Sequence, residues 1–325
     1  MKKGLIITLL TVFALVFTIS MTTSAEENAD ETYQTDLDIV SYNVYLMSST
    51  LYPNWGQSQR ADLIGQADFM SGQDVIILNE LFDNSSAEQL LGHLQGEYPY
   101  QTPILGSTTS GWDDTRGSYS YVVPENGGVS VVSKWPIEEQ IQYVFSEACG
   151  PESMSNKGFV YTKIMKDGDP YHIIGTHMQS TDSNCSDGEP AEVRSAQMAE
   201  MNQFIDDKGI PRSEMLIIGG DLNVIKDSAE YDAMLNQLNV SEPQYTGFDA
   251  TWDPETNSIA NYNYPDLGSQ YLDYIFVSNN HKQPESMTLE ARDVKSPYWS
   301  VTSWGTTYEY NDYSDHYPVF SEILN

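Results

Sequence analysis

Several apolar runs in this chain stop abruptly at a residue that carries chemistry, and that pattern constrains the fold more than any other feature. Leu37-Asp38-Ile39-Val40-Ser41-Tyr42 leads into Asn43, and Val75-Ile76-Ile77-Leu78 leads into Asn79-Glu80. Ile173-Ile174-Gly175-Thr176 ends at His177, and Leu216-Ile217-Ile218-Gly219-Gly220 ends at Asp221-Leu222-Asn223. A fifth run, Tyr271-Leu272-Asp273-Tyr274-Ile275-Phe276, carries an acid inside it. The last reads Tyr313-Ser314-Asp315-His316-Tyr317-Pro318-Val319. Short apolar runs rich in Ile and Val read as buried strands. Interleaved with helical patterns, they imply a layered α/β sandwich, in which ligands gather at strand ends.

The sequence predicts strands over 37–43, 74–80, 128–133, 215–221, 271–277 and 317–323. It predicts helices over 57–70, 87–94, 192–208 and 231–238. Residues 159–165 and 171–177 read as a hairpin around Lys166-Asp167-Gly168-Asp169. The two halves echo each other, each with a strand, a helix and a second strand ending at polar residues. After a polar tail at 26–35, no Pro-rich spacer, short repeat or low-complexity linker occurs, so one domain is expected.

Met1-Lys2-Lys3 is a basic start, followed by an apolar run from Leu5 to about Met21 and by Thr23-Ser24-Ala25. A basic n-region, a short apolar stretch and small residues at the cleavage point read as a secretory signal peptide. An uncleaved membrane anchor is the alternative. No later run approaches the roughly 20 apolar residues a span needs. Residues 1–25 are therefore expected to be a signal peptide, 26–325 a single domain, and the protein extracellular. Two cysteines, Cys149 and Cys185, remain in that domain. In an exported chain an even count suggests one disulfide. Two free thiols or a soft-metal site is the weaker alternative, since no other cysteine and no C-x-x-C spacing exists.

Composition mainly excludes partners. Fifteen Lys and Arg stand against 47 Asp and Glu, for a net charge of −32. Such a chain repels DNA, RNA and anionic lipid at long range. The 22 Tyr, 10 Phe and 6 Trp set it apart from acidic disordered chains, which lack aromatics. Screening of so many acids hints at a protein that works at high salt.

Each polar strand end is ordinary by itself, because Asp and Asn commonly end strands in turns. The set is not. Oxygen donors from Glu80 and Asn43 suit a hard cation such as Mg²⁺, which engages one or two carboxylates and keeps several waters. A His can take a proton from water near neutral pH if a carboxylate fixes its tautomer. Asp273 and His316 could form that pair, and His177 could stabilise phosphoryl oxygens or protonate a leaving group. Metal-assisted phosphodiester hydrolysis is the chemistry implied.

The same residues resemble the endonuclease/exonuclease/phosphatase superfamily. The match is carried by Asn43, Asn79-Glu80, Gly220-Asp221-Leu222-Asn223, Leu272-Asp273-Tyr274-Ile275 and Ser314-Asp315-His316-Tyr317-Pro318. Asn79-Glu80-Leu81-Phe82-Asp83-Asn84, Ser133-Lys134-Trp135-Pro136-Ile137 and Ser155-Asn156-Lys157-Gly158-Phe159-Val160-Tyr161 are closer still to the bacterial sphingomyelinase C family. The resemblance covers residue 36 to the end. It implies a DNase I-like four-layer α/β/β/α sandwich of two mixed sheets. It also implies hydrolysis of membrane sphingomyelin to ceramide and phosphocholine with Mg²⁺ or a similar divalent cation.

Carried over position by position, the resemblance makes Glu80 the metal ligand, assisted by Asn43, and His316 the base, oriented by Asp273. Asp221 and Asn223 would position water, metal and phosphate, His177 would stabilise the phosphoryl group, and Asp315 would sit beside the base. Cys149 and Cys185 match the family's disulfide. A second, edge metal would fall on Asn84, Glu125 and Asn126. The family pattern has an acid where Asn126 stands, so that site is expected to be weak. The family's membrane-probing hairpin falls at Thr302-Ser303-Trp304-Gly305-Thr306-Thr307-Tyr308, where Gly305 replaces a second aromatic. One Trp anchors less than two aromatics, which weakens the expectation of haemolysis.

A monomer making transient contact with a membrane or micelle surface is expected, with no nucleic-acid partner. Alternatives are a secreted nuclease of the superfamily, a phosphoesterase acting on another choline lipid or a soluble phosphate, and a non-catalytic membrane binder. The acidic balance disfavours the first, and the complete strand-end set disfavours the last.

Overall fold

A computed structural model describes residues 37–325. The expected signal peptide and polar tail lie outside them. The strands are β1 (Leu37–Leu46), β2 (Val75–Leu81), β3 (Tyr100–Gln101), β4 (Asp114–Gly117), β5 (Ser130–Ser133), β6 (Ile137–Val144), β7 (Gly158–Lys166) and β8 (Asp169–His177). They continue with β9 (Met215–Asp221), β10 (Gln244–Gly247), β11 (Asp273–Val277), β12 (Ser286–Ala291), β13 (Trp299–Ser303), β14 (Thr306–Tyr310) and β15 (Val319–Leu324). The helices are α1 (Gln57–Gly65), α2 (Asn84–Leu94), α3 (Glu189–Lys208), α4 (Ala229–Leu238) and α5 (Ser258–Asn263).

Two mixed sheets carry the fold. One runs β10-β12-β15-β1-β2-β5-β3 and the other β11-β9-β8-β7-β6-β4. Period-2 alternation sorts the side chains of β1 and β2. Ile39, Val75 and Ile77 enter the core between the sheets, whereas Val40, Tyr42, Ile76 and Leu78 face α1 and α2 through Ala61, Ile64 and Leu90. On the second sheet, Met198, Met201 and Phe204 of α3 join the same core as Ile173, Ile174 and Ile217. This is the four-layer sandwich that the resemblance implied.

The sheets approach closely beneath the strand ends. A Cβ on Gly175 or on Gly219 would stand 2.9 Å from side-chain carbons of Ile77, so only glycine leaves room for that isoleucine. Gly220 is constrained twice. Its φ is +137°, and a Cβ there would sit 1.8 Å from the Thr176 carbonyl oxygen.

The hairpin expected at 159–177 is present, with Asp167 (φ 54°) and Gly168 (φ 94°) in the left-handed turn that a two-residue connection needs. The helix expected over 57–70 ends at Gly65, and Asp68–Met70 forms a separate 3₁₀ turn. Gly65 packs on His93 of α2, where a Cβ would meet the His93 Cβ at 2.5 Å. Close helix contact therefore sets a glycine at the point where the helix stops. The remaining expected elements shift by a few residues. The hairpin that the resemblance placed at 302–308 is present as the β13–β14 pair, while β3, β4, β6, β10, β12 and α5 were not anticipated.

Cys149 and Cys185 form a disulfide, with Cα atoms 5.5 Å apart. Among the described residues no helix is long and apolar enough to cross a membrane.

Two expectations follow. Gly220→Ala sets a methyl against backbone that cannot yield, and a melting curve should show gross destabilisation, well beyond the ~1 kcal/mol of an average substitution. Breaking a disulfide that closes a 36-residue separation should cost roughly 3–4 kcal/mol, read as a lower denaturant midpoint in the Cys149→Ser/Cys185→Ser protein. An unchanged midpoint would refute it.

Candidate active site

Strand register gathers the polar strand ends into one place. In the first sheet Asn43 of β1 pairs with Asn79 of β2. In the second, Asp221 of β9 is flanked by His177 of β8 on one side and Asp273 of β11 on the other. His316 is added by an isolated bridge to Trp252. The bonds between sheets are buried amides. Asn79 Nδ2 donates to the Thr176 carbonyl (2.9 Å), and its Oδ1 accepts from Asp221 N (3.2 Å). Asn43 Nδ2 donates to both Glu80 Oε1 (2.9 Å) and Asp221 Oδ2 (3.0 Å). One amide thus bridges two carboxylates from opposite sheets.

Three non-glycine residues here adopt left-handed backbone: Tyr45 (φ 49°), Glu80 (φ 61°) and Asn223 (φ 53°). That conformation is costly for such residues and clusters at functional sites. At Glu80 it interrupts the strand's alternation. Asn223 N returns to Asp221 Oδ1 (3.0 Å), while Asn223 Nδ2 donates to the Met178 carbonyl (3.0 Å).

His316 Nδ1 lies 2.8 Å from Asp273 Oδ2, and its Nε2 lies 3.7 Å from Asp221 Oδ2. Thr251 Oγ1 accepts from Leu272 N (2.9 Å) and Asp273 N (3.2 Å), anchoring the start of β11. His177 Nε2 stands 3.6 Å from Asp221 Oδ2 and 3.9 Å from Glu80 Oε1. Asp315 is buried, and Ser314 Oγ ties its segment to the Asn43 carbonyl at 2.7 Å.

The electrostatics follow from burial of acids beside acids. Burial, then the neighbouring Asp315, pushes Glu80 up to about 8. Burial and then Asp273 raise Asp221 to about 6, and Asp315 is also raised, chiefly by burial. For His316, burial opposes the charged form, but Asp273, Asp221 and Asp315 outweigh it and hold the imidazole well above its ordinary value. His177 goes the other way, driven well down by burial and then by Lys157. Similar residues in dissimilar environments are how one site separates acid from base roles.

Glu80 Oε2, Asp273 Oδ1 and His177 Nδ1 are buried without a hydrogen-bond partner. Buried polar atoms rarely go unpaired without reason. Donor atoms of Glu80, His177 and Asp221 lie within 4.8 Å of one another, as do those of Asp221, Asp273 and His316.

At the expected edge site the three residues adjoin but face each other. Asn126 Nδ2 donates to Asn84 Oδ1 (3.2 Å) and its Oδ1 accepts from Gly128 N (2.7 Å). The Glu125 carboxylate accepts from Asn126 N at 3.2 Å.

Sequence reasoning gave no role to two buried cations. Lys157 Nζ contacts Glu152 Oε1 (2.7 Å), the Met178 carbonyl (3.0 Å) and His177 Nε2 (3.3 Å). Arg60 donates to the carbonyls of Trp55, Val44, Tyr45 and Tyr313, pinning the segments on either side of the site. Arg60 carried no local signal, and Lys157 carried one only through the resemblance. Lys157 lies in a matched motif, and Arg60 is one basic residue in an amphipathic helix.

The model of the endonuclease/exonuclease/phosphatase family matches residues 40–316. A sphingomyelinase C from Bacillus cereus is 53% identical over 308 residues, covering 93% of this chain and 92% of that protein. The chain belongs to the endonuclease/exonuclease/phosphatase family, in its sphingomyelinase C branch. Membership makes it a phosphoesterase-type hydrolase. Among solved structures, a beta toxin variant from Staphylococcus aureus with bound magnesium ions superposes with a TM-score of 0.87 at 52% identity. That alignment covers 88% of this chain and 99% of the toxin. Sphingomyelinase C from Streptomyces griseocarneus superposes equally well, at 0.87 and 44% identity, over 89% of this chain and 99% of that one.

A pH signature follows from the raised carboxylates. A group whose folded pKa exceeds its unfolded value stabilises below the unfolded value and loses that contribution as pH rises through the folded one. In EDTA, Glu80 should therefore make melting temperature fall between about pH 4.5 and pH 8. Glu80→Gln should flatten that fall. An identical pH profile for the variant would contradict it.

Proposed function

We propose that this chain is an exported sphingomyelin phosphodiesterase that releases phosphocholine and leaves ceramide. The observation that carries the reading is the Asp273–His316 pair, with Nε2 turned toward buried carboxylates, in a chain 53% identical to a sphingomyelinase C. The donor set suits a hard divalent cation, Mg²⁺ by the softness argument: the partners are oxygens, and Glu80 Oε2 is buried and unsatisfied. Glu80 would hold it, with Asn43 and Asp221 beside it. When bound, such a cation supplies Lewis-acid polarisation of a phosphoryl oxygen and offsets the mutual repulsion of the acids.

The chain's own residues do the rest. Asp273 accepts Nδ1–H of His316, and the pull of the acids that keep the ring charged would weaken with a cation held by Glu80, leaving Nε2 free to take a proton from water. That water's oxygen forms the new bond to phosphorus while the bond from phosphorus to the ceramide oxygen breaks, and the departing oxygen takes up a proton. Asp221 and Asn223 orient the water and phosphate. His177, kept neutral by burial and Lys157, donates to the phosphoryl group. Asp315 adds charge beside the base. At Asn84, Glu125 and Asn126 the reading allows only a weak second cation, since Asn126 brings an amide where a second acid would bind more tightly.

Sphingomyelin's headgroup is zwitterionic, so a chain of net charge −32 meets little repulsion at such a surface, whereas nucleic acid would repel it. Trp304 and Gly305 form a two-residue left-handed turn (φ 51° and 78°) at the tip of the β13–β14 hairpin. Trp304 is 68% exposed there and supplies transient membrane contact.

Three measurements test the reading. Phosphocholine release from sphingomyelin should vanish in EDTA and return with Mg²⁺; degradation of plasmid DNA without lipid turnover would instead establish a nuclease. His316→Ala should lower turnover by about 10²–10⁴-fold in a folded protein, and near-normal activity would remove His316 as base. Asp273→Asn, which costs the imidazole its tautomer-fixing acceptor, should lose turnover while keeping substrate affinity.

A further inference from the structure

A second aromatic and acidic cavity lies outside the site described above. It has a volume of about 540 Å³ and sits between α5, the loop before it and strand β14. Tyr262, Tyr308 and Tyr310 line it together with Glu255 and Glu309, and no Lys or Arg does. None of these residues takes part in the catalytic constellation.

Its construction is specific. Tyr262 leans edge-on against Trp55 (5.3 Å, 88°) and against Tyr308 (5.5 Å, 75°), and still keeps half of its surface free. Trp55 and Tyr310 belong to one buried cluster with Trp299, so the wall stands on a rigid base. Lys295, which bonds the Thr256 carbonyl of the rim, is engaged by Asp312 at 2.7 Å and by the Tyr317 hydroxyl. The cavity therefore combines π faces with carboxylates and lacks a free cation.

That combination selects its ligand. An anion is repelled by the two carboxylates. A small ammonium is strongly hydrated and gains little from ring faces. A quaternary ammonium carries its charge on methyl groups, sheds water cheaply and sits over aromatic rings. We propose that this cavity binds the trimethylammonium group of a choline lipid at the bilayer surface, as a docking site separate from the catalytic centre. The proposal deepens the lipid-hydrolase reading and rests on it only for the nature of the surface.

The position of the cavity, on the hairpin that carries exposed Trp304, sets how a membrane source could reach it. Tyr308 lies four residues beyond Trp304 on the same hairpin, about 13 Å along an extended strand. A headgroup layer is only roughly 5–8 Å deep per leaflet. A hairpin standing upright on Trp304 would lift the cavity clear of the lipid, so the proposal requires a hairpin that lies aslant and brings Trp304 and Tyr262 to one headgroup level. Docking of headgroups then replaces the deep anchor that Gly305 fails to provide.

The experiment is cosedimentation of the full chain, in EDTA, with phosphatidylcholine vesicles and with vesicles in which phosphatidylethanolamine replaces most of the phosphatidylcholine. Turnover of bis-p-nitrophenyl phosphate, measured separately in Mg²⁺ without EDTA, reports the catalytic centre. Tyr262→Ala and Glu255→Lys should each weaken partition onto phosphatidylcholine by about tenfold, with Tyr262→Phe near the parent and soluble turnover unchanged throughout. Glu255 is exposed, so its variant stays informative if Tyr262→Ala fails to fold. Equal partition of Glu255→Lys and parent, or no preference of the parent for phosphatidylcholine, overturns the proposal. Displacement by millimolar free phosphocholine with no vesicle binding by the parent would assign the cavity to the soluble product instead, and so also overturn it. A parent that binds phosphatidylcholine through Tyr262 but never cleaves sphingomyelin would retain the docking site and refute the catalytic reading.

Discussion

The burial of mutually repelling carboxylates between two sheets is the constraint around which this molecule is organised. Glu80, Asp221, Asp273 and Asp315 are gathered at the same strand ends, and burial raises the proton affinity of Glu80, Asp221 and Asp315. An acid can be buried only if it is paired, hydrogen-bonded or neutralised. Here each compensation is partial. Asn43 bridges two of the acids, His316 answers Asp273, and Asn223 N answers Asp221. Oε2 of Glu80 is left over. The unfinished balance is what a hard cation and a phosphodiester can complete.

The surroundings are built to keep that arrangement from relaxing. Asn79 fastens the first sheet to β8 and β9 of the second through its amide. Gly175 and Gly219 let Ile77 close the gap beneath, so packing on one side and hydrogen bonds on the other fix the spacing of the sheets. Arg60, fully buried, spends its donors on four carbonyls around the site. These contacts hold the distance between Asn43 and Asp221 without altering the chemistry of either, and preorganised geometry is where such sites gain most of their power.

Charge and aromatic surface are divided in a way that suits a zwitterionic interface. The acids keep polyanions away, while exposed Trp304 and half-exposed Tyr262 lie on adjoining elements, the β13–β14 turn and α5. The same acids that disfavour a polyanion favour the quaternary ammonium end of a zwitterionic choline headgroup. Specificity at the surface and at the centre thus draws on one composition.

Much of the core sheet structure was legible in sequence because the physics there is local. Runs such as Ile76-Ile77-Leu78 and Leu216-Ile217-Ile218 are buried on both faces and need no context to read as strands, and Asp167-Gly168 marks its own turn. Edge strands were not legible. β4 (Asp114–Gly117) and β10 (Gln244–Gly247) are short and mostly polar, and become strands through their ladders to β6 and β12 and through tertiary contacts such as that of Tyr245 with Tyr271. The helix at 57–70 was read too long because Gly65 answers to His93 of another helix, a contact that no local pattern encodes. The sequence by itself determined the kinds of donor available and the strand ends that carry them, because strand burial and side-chain chemistry are properties of short segments. Only the tertiary structure decided that Asn43 spans two carboxylates, that Lys157 faces His177, and that three tyrosines enclose a cavity beside acids. Those are relations between residues distant in the chain, set by sheet register and packing.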